Sequence, residues 1–362
     1  RMQKKDLMVQ MEANWIRAYL MSDAFILNSK WADVVNRYDR MQKITKAELV
    51  AWANQKFGEN YAAVNKRKGE KNIHKVDKPE ITQVSINREE TSKFFKQIEA
   101  MDESRMTPMF VDFKTAIKSD KIKTLVPLSY VHNDVNEVYN MLYVFEMGTN
   151  NDPLWPLAFK YLPFLGTAEM TPAEVQKEMF KLGLDFNVYP SDERSYVVVS
   201  GLEETFVEGV KFFEKLMSSV VADKPSYEEM VQGMLKERSD KKLNKSQILF
   251  SAMANYAKYG SENPFNSVMS EAELMAVNPE DLTKMIQKLN HYDHKILFYG
   301  PQDLNKVKAV LDTEHKLPPA LLPIPLPKTY EEITTDQNQV FFVEYDMVQT
   351  ELMMYHRGSL LD

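Results

Sequence analysis

Six histidines are the side chains of this sequence best suited to bind a metal ion or to move protons near neutral pH. Two of them, His291 and His294, lie three residues apart with Asp293 between them, and imidazole and carboxylate groups at this spacing could hold a metal ion. The stretch falls in a predicted turn between a helix and a strand, where polar residues are common, and no further ligand is evident. A surface turn is the favoured interpretation, and a metal site is the alternative. The six are His74, His132, His291, His294, His315 and His356.

Several other chemistries are excluded by composition. Cysteine is absent, so disulfides, thiolate zinc sites and cysteine nucleophiles are absent too. The 11 glycines form neither a phosphate-binding loop nor a dinucleotide fingerprint, and no nucleophile-elbow sequence is present. The net charge of −7 argues against a nucleic-acid partner, because phosphate binding requires a basic face. No apolar run reaches the ~20 residues that a transmembrane helix needs.

The first hundred residues show a helical region followed by a charged one. Residues 1–57 carry apolar side chains at spacings of three and four, which predicts helices. Thr45 and Glu48 have the spacing of a capping box, and a short strand is predicted at 61–64. Residues 66–108 contain few long apolar periods and are predicted to be a linker.

Strand and helix signals then alternate in one unit. Turn residues separate predicted strands at 125–131 and 137–145, and again at 185–189 and 196–201, while a fifth strand is predicted at 295–299. Strands paired by hairpins and interrupted by helices predict an α+β fold, with helices on one face of a largely antiparallel sheet. Helices are predicted to begin at Pro153, Thr171 and Asn278, and to cover 203–217, 226–242, 246–258 and 304–311.

Internal repetition suggests more than one such unit. Residues 44–49 and 277–282 share a cap, an acidic first turn and an apolar register, and the same ungapped spacing superposes 62–64 on 295–297. Past a proline-rich stretch at 317–327, strands are predicted at 340–345 and 351–356. The stretch is typical of an extended linker, with a docking motif for a proline-binding domain as the alternative. The sequence thus predicts the end of one unit, a complete second unit and the start of a third.

The complete unit resembles the insulinase/pitrilysin family of zinc metallopeptidases. The resemblance depends on the order and spacing of several segments, none of which is diagnostic alone. They are Leu165-Gly166-Thr167, Thr171-Pro172-Ala173-Glu174, Leu182-Gly183-Leu184-Asp185-Phe186-Asn187, Ser195-Tyr196-Val197-Val198, Asn263-Pro264-Phe265 and Val277-Asn278-Pro279-Glu280-Asp281-Leu282.

Active members of that family carry an inverted His-x-x-Glu-His motif on a helix, with a more distant Glu as the third zinc ligand. The resemblance puts Leu157 and Tyr161 at the histidine positions and Lys160 at the position of the general base. Neither Leu nor a Lys ammonium can ligate zinc, and the ammonium cannot accept a proton. Glu237 falls near the distal ligand position, where an exposed helix residue is the favoured interpretation. The resemblance therefore implies a peptidase-like domain without catalytic or metal-binding residues.

The resemblance also implies the setting of this domain. We expect residues 1–70 to end a preceding homologous domain, 71–110 to be a linker and 111–314 to be the complete inactive domain. A second linker at 315–332 would lead into a further homologous domain at 333–362. The expected function is a non-catalytic portion of a zinc metalloendopeptidase that forms part of a peptide-binding chamber. Its partners would be its own N-terminal catalytic half, which would hold the zinc, and a peptide substrate.

Two other functions stay open at this stage. The chain could be a structural or scaffolding homologue without peptidase chemistry, or a module that binds extended peptides without hydrolysing them. A His-x-x-Glu-His motif in the upstream sequence would separate the first interpretation from these. The location is left open, with the bacterial periplasm or cell envelope as the candidate.

Overall fold

A computed structural model describes residues 1–66, 69, 77–82, 87, 90–103, 107–356 and 358 of the chain. His74 lies outside these residues. By packing, the chain divides into two units, one formed by Arg1–Val34 with Phe113–Asp362 and the other by Val35–Asp112. These units are defined by contacts within the chain and not by homology. The boundaries of homologous domains expected from the sequence therefore stay predictions.

The helices and strands of the described residues follow the chain in this order. The helices are α1 (Met2–Glu12), α2 (Asn14–Ile26), α3 (Trp31–Val35), α4 (Arg37–Met41), α5 (Lys46–Lys56), α6 (Lys93–Glu99), α7 (Phe113–Ala116), α8 (Leu154–Tyr161), α9 (Pro172–Leu182), α10 (Phe206–Ser219), α11 (Lys224–Lys241), α12 (Lys245–Gln247), α13 (Ala254–Tyr259), α14 (Glu271–Ala276), α15 (Pro279–Gln287) and α16 (Leu304–Glu314). The strands are β1 (Lys118–Ile122), β2 (Val126–His132), β3 (Val138–Phe145), β4 (Gly166–Thr167), β5 (Asp185–Pro190), β6 (Ser195–Leu202), β7 (Val220–Val221) and β8 (Lys295–Gly300).

Six strands form the main sheet, in the order β1-β2-β8-β3-β6-β5. All neighbours are antiparallel except β2 and β8, which run parallel with Leu128 opposite Ile296. The prediction that the two strands around residue 134 form a hairpin is wrong, because β8 lies between them. The chain reverses at Asn133, but its backbone N–H donates to Gly300 of β8 rather than across a hairpin (2.8 Å). The hairpin of β5 and β6 is confirmed.

The helices cover one face of this sheet. Along β2 and β8 buried and exposed side chains alternate, as in Ile296 and Phe298 against Lys295, so one face of each strand is buried. Helices α8, α10, α15 and α16 pack with each other and with the strands, and their apolar side chains build the core together with the sheet. The fold is α+β with a mostly antiparallel sheet, as the sequence predicts.

Local signals account for several helix ends. Thr171 caps α9 while Glu174 bonds back to the Thr171 N–H, and Gly183 ends the helix at a positive φ of 66°, where glycine has no Cβ penalty. Thr45 and Glu48 form the predicted capping box of α5. The helix predicted at 246–258 contains a π-helical turn, Ile248–Met253, between α12 and α13. The sequence does not predict that turn.

Three predicted strands do not form. Residues 61–64, 340–345 and 351–356 belong to no strand, because no second strand lies beside them among the described residues. Val340 and Phe342 are exposed, while Phe341 contacts Tyr256 of α13 at a ring distance of 5.3 Å. The second unit, Val35–Asp112, has no buried side chain among its described residues. In the described part of the chain, no helix combines the length and the apolarity needed to cross a membrane.

Candidate functional site

Helix α8 carries the three positions at which the family resemblance places zinc chemistry. Leu157 and Tyr161 lie on its buried face with 3% and 0% exposure, whereas Lys160 is exposed. The helix ends at Tyr161 and continues as a short 3-10 turn that contains Pro163. Two of the three side chains therefore pack in the core rather than facing an open site.

Tyr161 has a structural role at this point. Its hydroxyl donates to the Asp223 carbonyl (2.5 Å) and accepts from the Asp223 N–H (2.7 Å), and burial raises its pKa. The Asp223 carboxylate caps α11 by accepting from the Ser226 N–H (2.8 Å). The ring of Tyr161 packs edge-to-face on Tyr227, 5.5 Å away. Tyr161 thus fixes the start of α11 against the end of α8.

Glu237 is an exposed residue of α11. It forms an ion pair with Lys241 one turn later (2.8 Å). That hydrogen bond is the main reason that the pKa of Glu237 is lowered, and the Lys160 ammonium lowers it further. The carboxylate at the distal-ligand position is thus paired with a lysine of its own helix.

The candidate cluster His291, Asp293 and His294 does not form a ligand set. Among the residues that the structure describes, no group of three or more His, Asp or Glu side chains could hold a metal ion. Asp293 is exposed, but His294 points into the core, where its Nδ1 lies 2.7 Å from the Tyr292 carbonyl. The favoured surface-turn interpretation is therefore wrong for His294, because its ring has polar partners inside the protein.

His294 belongs to a buried polar network that the sequence does not predict. Its Nε2 lies 2.9 Å from Nε2 of His315, and His315 Nδ1 lies 2.9 Å from Glu214 Oε1. Tyr143 donates to the same oxygen (2.5 Å), and the Asn290 amide donates to Glu214 Oε2 (3.1 Å). The other three ionisable members of the network, His315, Glu214 and Tyr143, are also nearly inaccessible to solvent. Residues from four separate parts of the chain meet in this network.

Burial shifts the pKa values of two members of this network, His294 and Tyr143. It lowers the pKa of His294 to about 4, with a further contribution from the neighbouring His315 ring. Burial and the Glu214 carboxylate raise the pKa of Tyr143 well above its ordinary range. One sequence signal did exist. Glu214 falls on the apolar face of α10, four residues after Val210 and three before Met217, where a charged side chain requires a buried partner.

The two edge strands of the sheet differ in character. Strand β1 exposes charged side chains, including Lys118 and Asp120, and charges at an edge discourage pairing with another chain. Strand β5 exposes Asn187 and Tyr189, and its one charged residue, Asp185, is paired with the buried Lys5. Helix α8 packs against β5. Among the described residues no strand pairs with the outer edge of β5, and the exposed side chains of this strand are uncharged.

No protein-family model matches the sequence, and no curated protein sequence matches it. Solved structures do resemble its fold. The periplasmic protease PqqL from Escherichia coli is 11% identical with a TM-score of 0.52, over 83% of this chain and 31% of PqqL. The ferredoxin protease FusC, solved in complex with Arabidopsis ferredoxin, is 10% identical with a TM-score of 0.50, over 80% of this chain and 30% of FusC. A peptidase M16 inactive domain from Pseudomonas fluorescens is 16% identical with a TM-score of 0.49, over 58% of this chain and 53% of that one.

These likenesses concern the fold. Over most of its length the chain shares the fold of part of the proteases PqqL and FusC, in agreement with the peptidase-like fold that the resemblance of its sequence implies. It spans only about a third to a half of the length of these solved structures.

Proposed function

We propose that this chain is a non-catalytic portion of a zinc metalloendopeptidase and forms part of its peptide-binding chamber. The observation that supports the proposal most is that Leu157 and Tyr161, at the histidine positions, are buried in the core, while Lys160 stands at the position of the general base. Leu157 cannot ligate zinc, and the Lys160 ammonium can neither ligate zinc nor accept a proton from water. A zinc site in another half of the protein, outside this sequence, would then supply the catalysis.

The role in peptide binding is assigned to the free edge of β5. An extended peptide can add a strand to such an edge through main-chain hydrogen bonds, while neighbouring pockets select its side chains. The exposed side chains of β5, Asn187 and Tyr189, are uncharged, whereas β1 exposes Lys118 and Asp120. A location in the bacterial periplasm or cell envelope is part of the proposal, and the likeness to a periplasmic protease supports it.

The test uses this chain alone. We expect no stoichiometric zinc in elemental analysis after dialysis with zinc present, and no cleavage of a quenched, unstructured peptide. We expect the same peptide to bind, and its backbone N-methylated analogue to bind at least about tenfold more weakly, because it cannot donate to a strand edge. Tyr189→Asp should weaken binding, and Ser119→Asp on the exposed part of β1 is the matched control.

Each outcome has a definite meaning. One tightly bound zinc together with chelator-sensitive cleavage would show that the proposal is wrong. No peptide binding, with an intact fold by circular dichroism, would favour the scaffolding homologue. Equal effects of the substitutions on β5 and β1 would remove β5 as the binding edge.

A further inference from the structure

A proline-rich strap, residues 317–328, follows α16 and packs on the sheet unit. The sheet unit is the one formed by Arg1–Val34 and Phe113–Asp362. Its backbone pairs with the turn before β8, where Leu322 N–H donates to the His291 carbonyl (2.7 Å) and Asp293 N–H donates to the Leu322 carbonyl (2.9 Å). Farther along, the Asn151 amide donates to the Pro325 carbonyl (2.6 Å). Leu317, Leu321 and Ile324 pack on the core. The strap is thus fixed both by backbone pairing and by apolar side chains.

The buried polar network lies at the root of the strap. His315 immediately follows α16, is fully buried, and its carbonyl accepts from the Lys123 ammonium (2.9 Å). His294 ends the turn that receives Leu322. The 2.9 Å bond between the two imidazole rings therefore ties the start of the strap to the turn on which the strap docks.

The proton positions in this network follow from the partners of each nitrogen. His294 Nδ1 faces the Tyr292 carbonyl, which can only accept, so Nδ1 carries a proton. In a neutral ring Nε2 is then an acceptor, and His315 Nε2 must donate to it. The 2.9 Å bond between His315 Nδ1 and Glu214 Oε1 needs one further proton, which is carried either by the nitrogen or by the oxygen. Its position decides whether the network holds charges.

The environment of Glu214 favours the carboxylate. Tyr143 and Asn290 both donate to its oxygens, and hydrogen bonds of this kind stabilise the charged form. The Asn290 amide is also 3.4 Å from His315 Nδ1 but lies closer to Glu214. A carboxyl group is ordinarily more acidic than an imidazolium, so the proton belongs on His315.

We infer that His315 is a buried imidazolium paired with the Glu214 carboxylate, and that this ion pair, with neutral His294 bonded to it, is the clasp that keeps the strap docked. This inference does not depend on the proposed peptidase role. The titratable groups that face the pair are Tyr143 from β3 and His294 before β8. Removing one partner of a buried pair leaves an uncompensated charge, whereas removing both does not.

The protonation state can be measured on the unmodified chain. Nitrogen-15 labelling of the histidines should show, at pH 7, one ring with both nitrogens protonated and, coupled to it, one ring protonated only at Nδ1. Loss of the first set of signals in His315→Gln assigns it. A His315 ring that carries one proton would overturn the ion pair.

The clasp is tested by tryptic cleavage after Lys316 and Lys328, which flank most of the strap. We expect Glu214→Gln and His315→Gln each to accelerate this cleavage by about tenfold or more. The double variant should be cleaved little faster than either single variant. Glu208→Gln, exposed on the same helix, and His291→Gln, next to the strap but outside the network, are the matched controls. Unchanged cleavage in Glu214→Gln, or additive effects in the double variant, would overturn the clasp.

Discussion

Glu214 shows how a single side chain can set the chemistry of a core. Its carboxylate lies among aromatic and aliphatic residues of α10 and β3, yet each of its oxygens accepts at least one hydrogen bond. A buried charge without such partners would cost several kcal/mol. The polar partners therefore had to come from distant parts of the sequence, namely Tyr143, Asn290 and His315.

The stability of the fold should depend on pH through His294. Its pKa falls from 6.5 to about 4 on folding, so between these values the unfolded chain binds a proton that the folded chain does not. Above pH 6.5 the neutral His294 ring makes its full contribution to the stability of the fold. This contribution is lost as the pH falls from 6.5 to about 4. We expect the free energy of unfolding to decrease by up to about 3 kcal/mol from this group, measured by urea unfolding at several pH values.

The contribution of His294 is isolated by comparison with His294→Gln. The difference in unfolding free energy between the natural chain and this variant should narrow as the pH falls towards 4. His356→Gln, at an exposed position, should show no such narrowing. A pH-independent difference would contradict the prediction.

Residue positions on α8 were predictable, whereas the network was not. The resemblance placed Leu157, Lys160 and Tyr161 on one helix, and all three lie in α8. His294 and His315 are 21 residues apart, and His315 is 101 residues from Glu214. No local period connects them, because their contact depends on how α16 returns to the sheet.

At the scale of elements, Tyr139 of β3 determines how closely α10 approaches the sheet. Its ring is fully buried, and its hydroxyl has no hydrogen-bond partner among the described residues. A Cβ on Gly209 of α10 would lie 2.8 Å from this hydroxyl, and one on Gly201 of β6 would lie 2.6 Å from it. Glycine at both positions makes room for the tyrosine.

We expect Gly209→Ala to lower the free energy of unfolding by about 1–3 kcal/mol, because the new methyl group overlaps the Tyr139 hydroxyl. Tyr139→Phe should be neutral or stabilising by up to about 1 kcal/mol, since it removes a buried hydroxyl without a partner. The double variant should recover most of the loss. Urea or thermal unfolding measures all three.

The matched control is Gly233→Ala in α11, where a Cβ meets nothing within 4 Å. There the higher helix propensity of alanine should stabilise the chain by up to about 1 kcal/mol. A Gly209→Ala variant as stable as Gly233→Ala, or no recovery with Tyr139→Phe, would contradict this account of the packing.

Helix ends and the β5–β6 hairpin were predictable because their signals are local, such as the capping pair Thr171 and Glu174. The order of the strands in the sheet was not predictable from local signals. The turn residues after β2 predicted a reversal correctly, but nothing near them indicates that β8 enters between β2 and β3. Likewise, residues 340–345 have strand-forming side chains, but a strand also needs a neighbour.

At the scale of the whole molecule, the two units differ in how much they bury. The sheet unit contains the apolar core, whereas the described residues of Val35–Asp112 bury no side chain. Large apolar side chains such as Trp52 and Phe94 are at least half exposed there. Regions with few buried contacts open at low free energy.

Limited digestion with trypsin should therefore cut Val35–Asp112 first. Cleavage at described sites such as Lys56 and Lys96 should precede cleavage at Lys211 and Lys215 of α10, and a fragment containing β1 to α16 should persist. Mass spectrometry of the time course identifies the sites, and digestion in urea controls for intrinsic differences between them. Simultaneous loss of both units would contradict the prediction.

The insertion of β8 between β2 and β3 has a consequence for synthesis on the ribosome. Translation at 5–20 residues per second delivers β3 roughly 8 to 30 s before β8. During that interval β2 and β3 have been synthesised but β8, which separates them in the sheet, has not. If β2 and β3 paired as a hairpin, that hairpin would have to open before β8 could insert. Of the six strands of this sheet, β8 is made last although it lies in the middle, so a nascent chain that stalls before β8 would leave the facing edges of β2 and β3 unpaired.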